Sequence, residues 1–282
     1  MYSLTDIDAI KRIMSRHGFS FSKSLGQNFI VDPEVCPEMV RLSGIDKDCG
    51  VIEIGAGIGV LTAEIAKNAG KVVSFEVDKR LIPVLNETLA DFHNIEIINK
   101  DIMTVNLSDV IESKFKGTPV YVCANLPYYI TSPVIMTLLK NNLRIKSITV
   151  MLQQEAAQRL CAPVGSRFAG AVTVAVDYYA NARKLFDVSK ECFLPVPKVD
   201  SSVIRLDLRS EKPYPVSDEE RFFKLVSAAF AQRRKTAVNS VSSGLGVPKT
   251  VVEGALRKLS LPENIRAENL TANQLALLSD MI

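Results

Sequence analysis

The sequence predicts an α/β protein with a parallel, doubly wound sheet, followed by a smaller all-helical domain. Short apolar runs typical of buried strands alternate with helical stretches over most of the chain, an order that favours parallel strands joined by helices. Two prolines in SEKPYPVS, residues 210–217, interrupt that order and mark a linker. The segments after the linker show only helical periodicity. We therefore expect an α/β domain over residues 1–209, and a linker with a helical domain over residues 210–282.

The amino-terminal region predicts two helices separated by a loop. Thr5 is expected to cap a helix over DIDAIKRIMSRH, which ends at Gly18. The next segment, FSFSKSLGQNFIV, has no helical period and is predicted to be a loop. Pro33 opens the second helix, since proline is favoured at the first helical position.

The central region predicts five strands in alternation with helices. The strands are GVIEIG, KVVSFEVD, NIEIINKD, PVYVCAN and KSITVMLQ. The main helices between them are GVLTAEIAKNAG, KRLIPVLNETLADF and SPVIMTLLKNN. Two more β-rich runs, GAVTVAVDYYA and SSVIRLDLR, are expected as antiparallel additions at one edge of the sheet. Beyond the linker, helices are predicted over DEERFFKLVSAAFAQRR, PKTVVEGALRKL and TANQLALLSDMI.

Composition excludes several classes of protein. Hydrophobic residues make up 47% and charged residues 23%, which is typical of a globular chain. No apolar run is long enough to span a membrane, and the amino terminus lacks the apolar core of a signal peptide. The five cysteines are odd in number and form no CxxC pair, and there are two histidines, so we expect reduced thiols, no metal site and a cytoplasmic location.

Positive charge is concentrated in two places. The net charge of +3 is too small to indicate a polyanionic partner by itself. However, residues 9–31 contain lysines and arginines without an acid up to Val31, and QRRKT at residues 232–236 is a second basic cluster. Each cluster taken alone is better explained by a solvated helix face.

A glycine loop and two acids follow the first three strands of the alternation. Gly55 and Gly57 in EIGAGIG allow a tight turn and a close approach of a ligand to the backbone, although a plain turn is about as probable for this loop alone. The spacing is GxGxG, not the GxGxxG of dinucleotide sites, and Glu53 beside it is poorly suited to a phosphate. Glu76 can accept hydrogen bonds from a ribose, and Asp101 from the amine of adenine. Together these features fit S-adenosylmethionine, an adenosine ligand without phosphate, although either acid can also belong to a helix cap.

The segment NLPYYITSP follows the fourth strand. Asn125 Oδ1 and the carbonyl of Leu126 can accept the two N–H protons of an adenine amine, which directs the nitrogen lone pair towards a methyl donor. Pro127 stiffens the loop and Tyr128 offers a ring face for stacking, whereas Tyr129 is expected to pack inward. In isolation the segment is slightly better explained by ordinary turn chemistry, but the preceding glycine loop and acids favour the functional interpretation. A second aromatic residue, Phe193 in CFLPVPKVDSS, is held extended by two prolines, and by itself is best explained as a core residue.

With these motifs the chain resembles the ribosomal RNA adenine dimethyltransferases, in the branch that dimethylates two adjacent adenines near the 3′ end of 16S rRNA. The resemblance covers residues 23–236. It rests on KSLGQNFI, EIGAGIGVLT, FEVD, KDIM, NLPY with ITSP, FLPVPKVDSSV and AFAQRRKT. It implies a Rossmann-like, S-adenosylmethionine-dependent methyltransferase domain followed by a helical RNA-binding domain. It also implies 16S rRNA within the 30S subunit or its precursor as the partner, and a role in small-subunit biogenesis.

The resemblance also implies roles for individual residues. Tyr128 and Phe193 would hold the target adenine between them, with Asn125 and Leu126 at its amine. The cofactor would be bound by Asn28, Ile30, Gly55, Gly57, Glu76, Asp101 and Asn125. The RNA would be bound by Lys23, Arg233, Arg234 and Lys235.

Two segments depart from the family pattern. Relatives often have a lysine-tyrosine-glycine run where this chain has RFAGAVTV, so Phe168 replaces the tyrosine and lacks a hydroxyl for an RNA contact. They often have Leu-Arg-Asn after the basic cluster, where this chain has AVNS and therefore Val238 in place of arginine.

Two other functions compete with 16S methylation. The macrolide-resistance enzymes that methylate 23S rRNA tend to have Asn-Ile-Pro-Tyr, and Leu126 argues weakly against them. A non-catalytic RNA- or DNA-binding factor would have an eroded site, whereas every residue of the predicted site is present. We expect a monomer.

Overall fold

The computed structural model describes residues 4–22, 25–140, 143–232 and 234–282. These residues form two compact units. The first contains the described residues up to Ala157 together with Arg183–Leu208, and the second contains Gln158–Ala182 and Arg209–Ile282. The predicted ranges, 1–209 and 210–282, differ from this division in the segment Gln158–Ala182. Tyr178 and Tyr179 explain the difference, because their rings pack against Phe222 and Phe223 of the second unit.

A seven-stranded sheet is the main element of the first unit. Its strands are β2 (Gly50–Ile54), β3 (Lys71–Phe75), β4 (Ile95–Ile98), β5 (Val120–Asn125), β6 (Ile145–Gln153), β7 (Ala180–Val188) and β9 (Ser201–Leu208). The spatial order is β4-β3-β2-β5-β6-β9-β7. The pairs among β2 to β6 are parallel and β9 is antiparallel to β6, which confirms the doubly wound prediction and the edge addition of SSVIRLDLR.

The order of these strands determines where a ligand is expected. From β2 the chain moves outward through β3 to β4 and then returns to β5 on the other side of β2. In such sheets the crevice beyond the carboxyl ends of the strands, at the point where the direction reverses, is the usual ligand site. Here that point lies between β2, which the glycine loop follows, and β5, which ends at Asn125.

The helices of the alternation form close to the predicted places. They are α1 (Ile7–Arg16), α2 (Val35–Ser43), α3 (Val60–Asn68), α4 (Ile82–Thr88), α5 (Leu107–Phe115) and α6 (Thr131–Lys140). The cap of α1 is Asp6, whose carboxylate accepts the N–H of Ala9 at 2.6 Å, so the prediction of Thr5 was wrong. Helix α1 packs through Ile10 and Ile13 into a buried cluster with Phe19, Phe29 and Leu85.

Part of the predicted loop at residues 19–31 pairs with a distant segment. Strand β1 (Phe29–Ile30) lies antiparallel to β8 (Phe193–Leu194), and Ile30 is the partner of Phe193. This pairing joins the segment between α1 and α2 to the FLPVP segment, a contact that no local sequence pattern indicated.

One predicted strand is a helix. GAVTVAVDYYA forms α8 (Ala171–Tyr179), and the backbone N–H of Gly170 donates to Thr173 Oγ1 at its start. Most of this helix is buried, so its apolar residues do not show the 3.6-residue period that distinguishes a half-exposed helix from a strand. Its valines then favoured the strand prediction.

The remaining helices include two that were not predicted. They are α7 (Gln154–Leu160), α9 (Glu219–Phe230), α10 (Ala237–Leu245), α11 (Lys249–Lys258) and α12 (Ala272–Met281), of which α7 and α10 are the unpredicted ones. Within the part of the chain that the structure describes, no helix is both long and apolar enough to cross a bilayer.

Candidate active site

A cavity at the carboxyl ends of the sheet strands collects most of the predicted site residues. It lies within the first unit. The predicted residues that line it are Asn28, Ile30, Gly55, Gly57, Glu76, Asp101, Asn125, Leu126, Tyr128 and Phe193. Val77, Ile102 and Tyr129 also line it and were not predicted for the site.

The glycine loop after β2 requires glycine at the positions facing the cavity. Gly55 has φ +82° and Gly57 has φ +60°, values that other residues adopt only with strain. A Cβ at Gly57 would lie 3.5 Å from the ring of Phe29, and one at Gly55 would lie 3.8 Å from the carbonyl oxygen of Asn125. Both distances are ordinary van der Waals contacts, so backbone conformation favours glycine here, and the loop offers backbone without side chains to the cavity.

Glu76, directly after β3, is tied to that loop. Its Oε2 accepts the N–H of Gly57 at 2.9 Å and its Oε1 accepts the N–H of Asp78 at 2.8 Å. The residue is 5% exposed, and burial raises the pKa of Glu76 while these two N–H donors lower it. Because two carboxylate oxygens have about four acceptor positions, Glu76 can still accept hydrogen bonds from a ribose. Asp78 caps the 3-10 turn Lys79–Leu81, so the helix-cap arrangement considered as the alternative for Glu76 is also present in the structure.

Asp101 has a structural contact as well as a place in the cavity. It caps the 3-10 turn Ile102–Thr104, with Oδ1 accepting the N–H of Met103 at 2.9 Å. The residue is exposed and lines the cavity. The cap fixes the side chain and uses one acceptor position, so the carboxylate retains capacity for an adenine amine.

Asn125 is the last residue of β5, and its amide is oriented by the amino-terminal segment. Its Nδ2 donates to the carbonyl oxygen of Asn28 at a long distance of 3.5 Å. This contact directs the amide nitrogen to Asn28 and leaves Oδ1 as the acceptor. The next residue, Leu126, donates its N–H to Met151 and buries its side chain, which anchors the start of the loop.

The two tyrosines that follow, Tyr128 and Tyr129, have side chains in different environments. The Tyr128 hydroxyl is 2.9 Å from Ser201 Oγ, and burial raises the pKa of Tyr128. Tyr129 was predicted to pack inward, but it is 56% exposed, so that prediction was wrong. Its ring lies instead against the backbone of Gly26, where a Cβ would be 3.5 Å from Tyr129 Cδ1.

Phe193 borders the cavity but belongs mainly to the core. It is 2% exposed and lies in a buried cluster with Met151, Val203 and Cys36. The interpretation of Phe193 as a core residue therefore describes this structure, and its role beside an adenine stays a prediction.

Glu53 is a buried acid beneath the glycine loop. It is fully buried in β2, and its Oε2 accepts the hydroxyl of Ser74 on β3 at 2.6 Å. Burial is the main cause that raises the pKa of Glu53 to about 7. The sequence signal was an acid within an apolar strand, two residues before Gly55.

The residues predicted to contact RNA are not among those that line this cavity, and two of them lie outside the described residues. Lys23 and Arg233 are not among the residues that the structure describes, whereas Arg234 and Lys235 are exposed in the second unit. At the two positions that depart from the family pattern, the Phe168 ring is covered by the guanidinium of Arg167 at 4.6 Å, and Val238 is buried.

Comparison with known proteins gives a consistent set of similarities. Residues 18–282 match the model of a family described as ribosomal RNA adenine dimethylase. A protein of Shouchella clausii named ribosomal RNA small subunit methyltransferase A is 44% identical, over 96% of this chain and 92% of its own length. A protein of the same name from Geobacillus thermodenitrificans is 45% identical, over 96% of this chain and 94% of its own length.

Solved structures resemble the whole fold. A dimethyladenosine transferase from Plasmodium falciparum has a TM-score of 0.73 at 24% identity, covering 89% of this chain and 95% of its own. The 23S rRNA methyltransferase ErmE has a TM-score of 0.66 at 27% identity, covering 90% of this chain and 98% of its own.

Proposed function

Because the chain belongs to the ribosomal RNA adenine dimethylase family and is an S-adenosylmethionine-dependent rRNA methyltransferase, we propose that it dimethylates two adjacent adenines near the 3′ end of 16S rRNA. Each adenine receives two methyl groups at N6, so four are transferred to each small subunit. The observation that carries the proposal is the convergence of the glycine loop, Glu76, Asp101 and Asn125 on one cavity. The small-subunit target is supported by relatives of that name, which match nearly the whole chain.

The residues around the cavity fit the cofactor by their chemistry. Gly55 and Gly57 expose backbone that would contact its methionine part, and Asn28 and Ile30 border the same space. Glu76 would accept from its ribose and Asp101 from its adenine amine. When bound, S-adenosylmethionine supplies an activated methyl group from its positively charged sulfonium.

The loop after β5 would prepare the target amine. Asn125 Oδ1 and the Leu126 carbonyl accept the two N–H protons of the adenine N6 amine, which favours a tetrahedral nitrogen with its lone pair directed at the methyl donor. Tyr128 presents its ring to the base, with its hydroxyl held by Ser201. Phe193 would need to become accessible to contact the other face, because it is 2% exposed here. A base that reaches this site must be unpaired or flipped from its helix.

The helical unit and the basic residues would hold the RNA. Arg234 and Lys235 are exposed and provide positive charge for phosphates, and we include Lys23 and Arg233 in the same role. The partner is 16S rRNA within the 30S subunit or its precursor, which implies a cytoplasmic location and a role in subunit biogenesis. A monomer suffices, since one chain supplies every residue of the proposed site.

Methylation of 23S rRNA is the second candidate. It is supported by the likeness to ErmE, at 27% identity. The relatives named for the small subunit are more similar, at 44% and 45% identity, and therefore favour 16S rRNA.

The test is transfer of labelled methyl groups from S-adenosylmethionine to two substrates. One is the 30S particle from cells lacking this methylation, and the other is protein-free 23S rRNA. We expect label in the 30S particle, located by mass spectrometry to two adjacent dimethylated adenines near the 3′ end of 16S rRNA. Label in 23S rRNA alone would overturn the proposal, and binding to the particle without any transfer would indicate a non-catalytic assembly factor.

A further inference from the structure

Tyr129 is a large aromatic side chain that lines the cavity while remaining open to solvent. It is 56% exposed, in contrast to its neighbour Leu126, which is 1% exposed. Within the described part of the chain, the Tyr129 hydroxyl forms no hydrogen bond. A ring in this position contributes little to the packing of the protein itself, so its placement suggests contact with a ligand.

The ring is nonetheless held in a defined place. It lies on the backbone of Gly26, where a Cβ would be 3.5 Å and 3.6 Å from two of its ring carbons and 3.7 Å from Pro127 Cβ. Gly26 has φ +60°, so a side chain at that position would be strained, and the ring lies at van der Waals distance from it. The turn at residues 127–130, closed by the Ile130 N–H and the Pro127 carbonyl, fixes the backbone that carries Tyr129.

Tyr129 lines the same cavity as the two acids at its proposed adenosine end. Burial raises the pKa of Tyr129, and the charges of Asp101 and Glu76 raise it further. These are the carboxylates that the proposed function assigns to adenine and ribose. Tyr128, by contrast, directs its hydroxyl to Ser201, so the adjacent tyrosines serve different parts of the site.

We propose that Tyr129 covers the adenosine half of the bound S-adenosylmethionine, with its ring against the ligand. This inference rests on the proposed function and adds a cofactor-contacting residue to it. The exposed ring then forms part of the solvent side of the site. In this arrangement the Tyr128 ring stacks on the target base, as in the proposed function.

The test is the affinity for S-adenosylhomocysteine, which contains the same adenosine, measured by calorimetry without RNA. We expect Tyr129→Ala to raise the Kd by about 5- to 150-fold, the ratio typical of losing one aromatic contact with a base. Tyr129→Phe should stay within about threefold, because it keeps the ring. In the transfer assay, Tyr129→Ala should raise KM for S-adenosylmethionine and leave kcat at saturation nearly unchanged.

Met103→Ala is the matched control, since Met103 is also exposed and follows Asp101 but does not line the cavity. An unchanged Kd in Tyr129→Ala would overturn the proposal, as would an equal loss in Tyr129→Phe. Weaker binding of the 30S particle with unchanged Kd would indicate that the ring contacts RNA instead. Thermal unfolding checks folding, and Tyr129→Leu replaces the alanine variant if that one unfolds. If the wild-type protein bound no S-adenosylhomocysteine, the proposed function itself would fail, which separates the two results.

Discussion

The cavity of the first unit and the aromatic cluster of the second unit both place tyrosines beside carboxylates, but they use them differently. The aromatic cluster consists of Tyr178, Tyr179, Tyr214, Phe222 and Phe223. In it, the Tyr178 hydroxyl donates to Glu219 Oε1 at 3.0 Å and the Tyr179 hydroxyl donates to Oε2 at 2.8 Å. Burial, together with the hydrogen bond and charge of Glu219, raises the pKa of Tyr178 to about 12.

In the aromatic cluster the hydroxyls of Tyr178 and Tyr179 are bound by Glu219, and the ring faces pack against one another. The rings of Tyr179 and Phe223 stack at 5.4 Å, and Lys212 Nζ lies 3.9 Å from the centroid of Tyr179. In the cavity, the Tyr129 ring is largely exposed, and Glu76 retains acceptor positions after binding two backbone N–H groups. The comparison teaches that residue type alone does not mark a functional site. Unused ring surface and unused acceptors do, because they can be satisfied by a ligand.

The largest effect is expected at the amide of the cavity. Asn125→Ala removes the side-chain acceptor proposed for the target amine, so kcat should fall about a hundredfold or more, as for other preorganised groups that act on the transition state. Binding to the 30S particle should remain, and filter binding alongside the transfer assay measures both. Asn106→Ala is the control, because Asn106 caps α5 outside the cavity. A loss of subunit binding together with activity would show that Asn125 is structural.

The next effect concerns the buried acid below the glycine loop. The pKa of Glu53 is raised to about 7 from an ordinary value of 4.5, so the folded state binds its proton more tightly than the unfolded state. Between pH 4.5 and 7 the free energy of unfolding should therefore fall as pH rises, by about 3 kcal/mol in total. Urea unfolding across this range should show the fall in the wild-type protein and a smaller one in Glu53→Gln. Identical pH dependence in both would contradict a protonated Glu53.

A smaller effect is expected in the aromatic cluster. Glu219→Ala removes the acceptor of two tyrosine hydroxyls and should lower the free energy of unfolding by about 1–2 kcal/mol, without changing KM for S-adenosylmethionine. Glu220→Ala is the matched control, because Glu220 lies in the same first turn of α9 and pairs with Lys224 instead. Urea unfolding of the two variants isolates the tyrosine contacts. Equal losses would mean that the helix terminus, not the aromatic cluster, determines the effect.

Local sequence patterns predicted the half-exposed helices and the alternating strands and helices of the parallel sheet. The glycine loop, Glu76, Asp101 and Asn125 each follow a strand of the parallel sheet, and the ends of parallel strands meet at one edge. Their convergence was therefore predictable from order alone. Helix α8 was not, because its buried valines lack a helical period and resemble a strand.

The sequence by itself determined the alternation, the parallel sheet and the set of strand-end groups that line the cavity, because these depend on neighbouring residues and on their order. Only the tertiary structure decided which way the two tyrosines point. Tyr128 is directed by Ser201, 73 residues away, and Tyr129 lies on Gly26. Phe193 is likewise buried through the pairing of β8 with β1. These directions depend on contacts between distant segments, and a loop side chain has no periodicity from which its neighbours can be predicted.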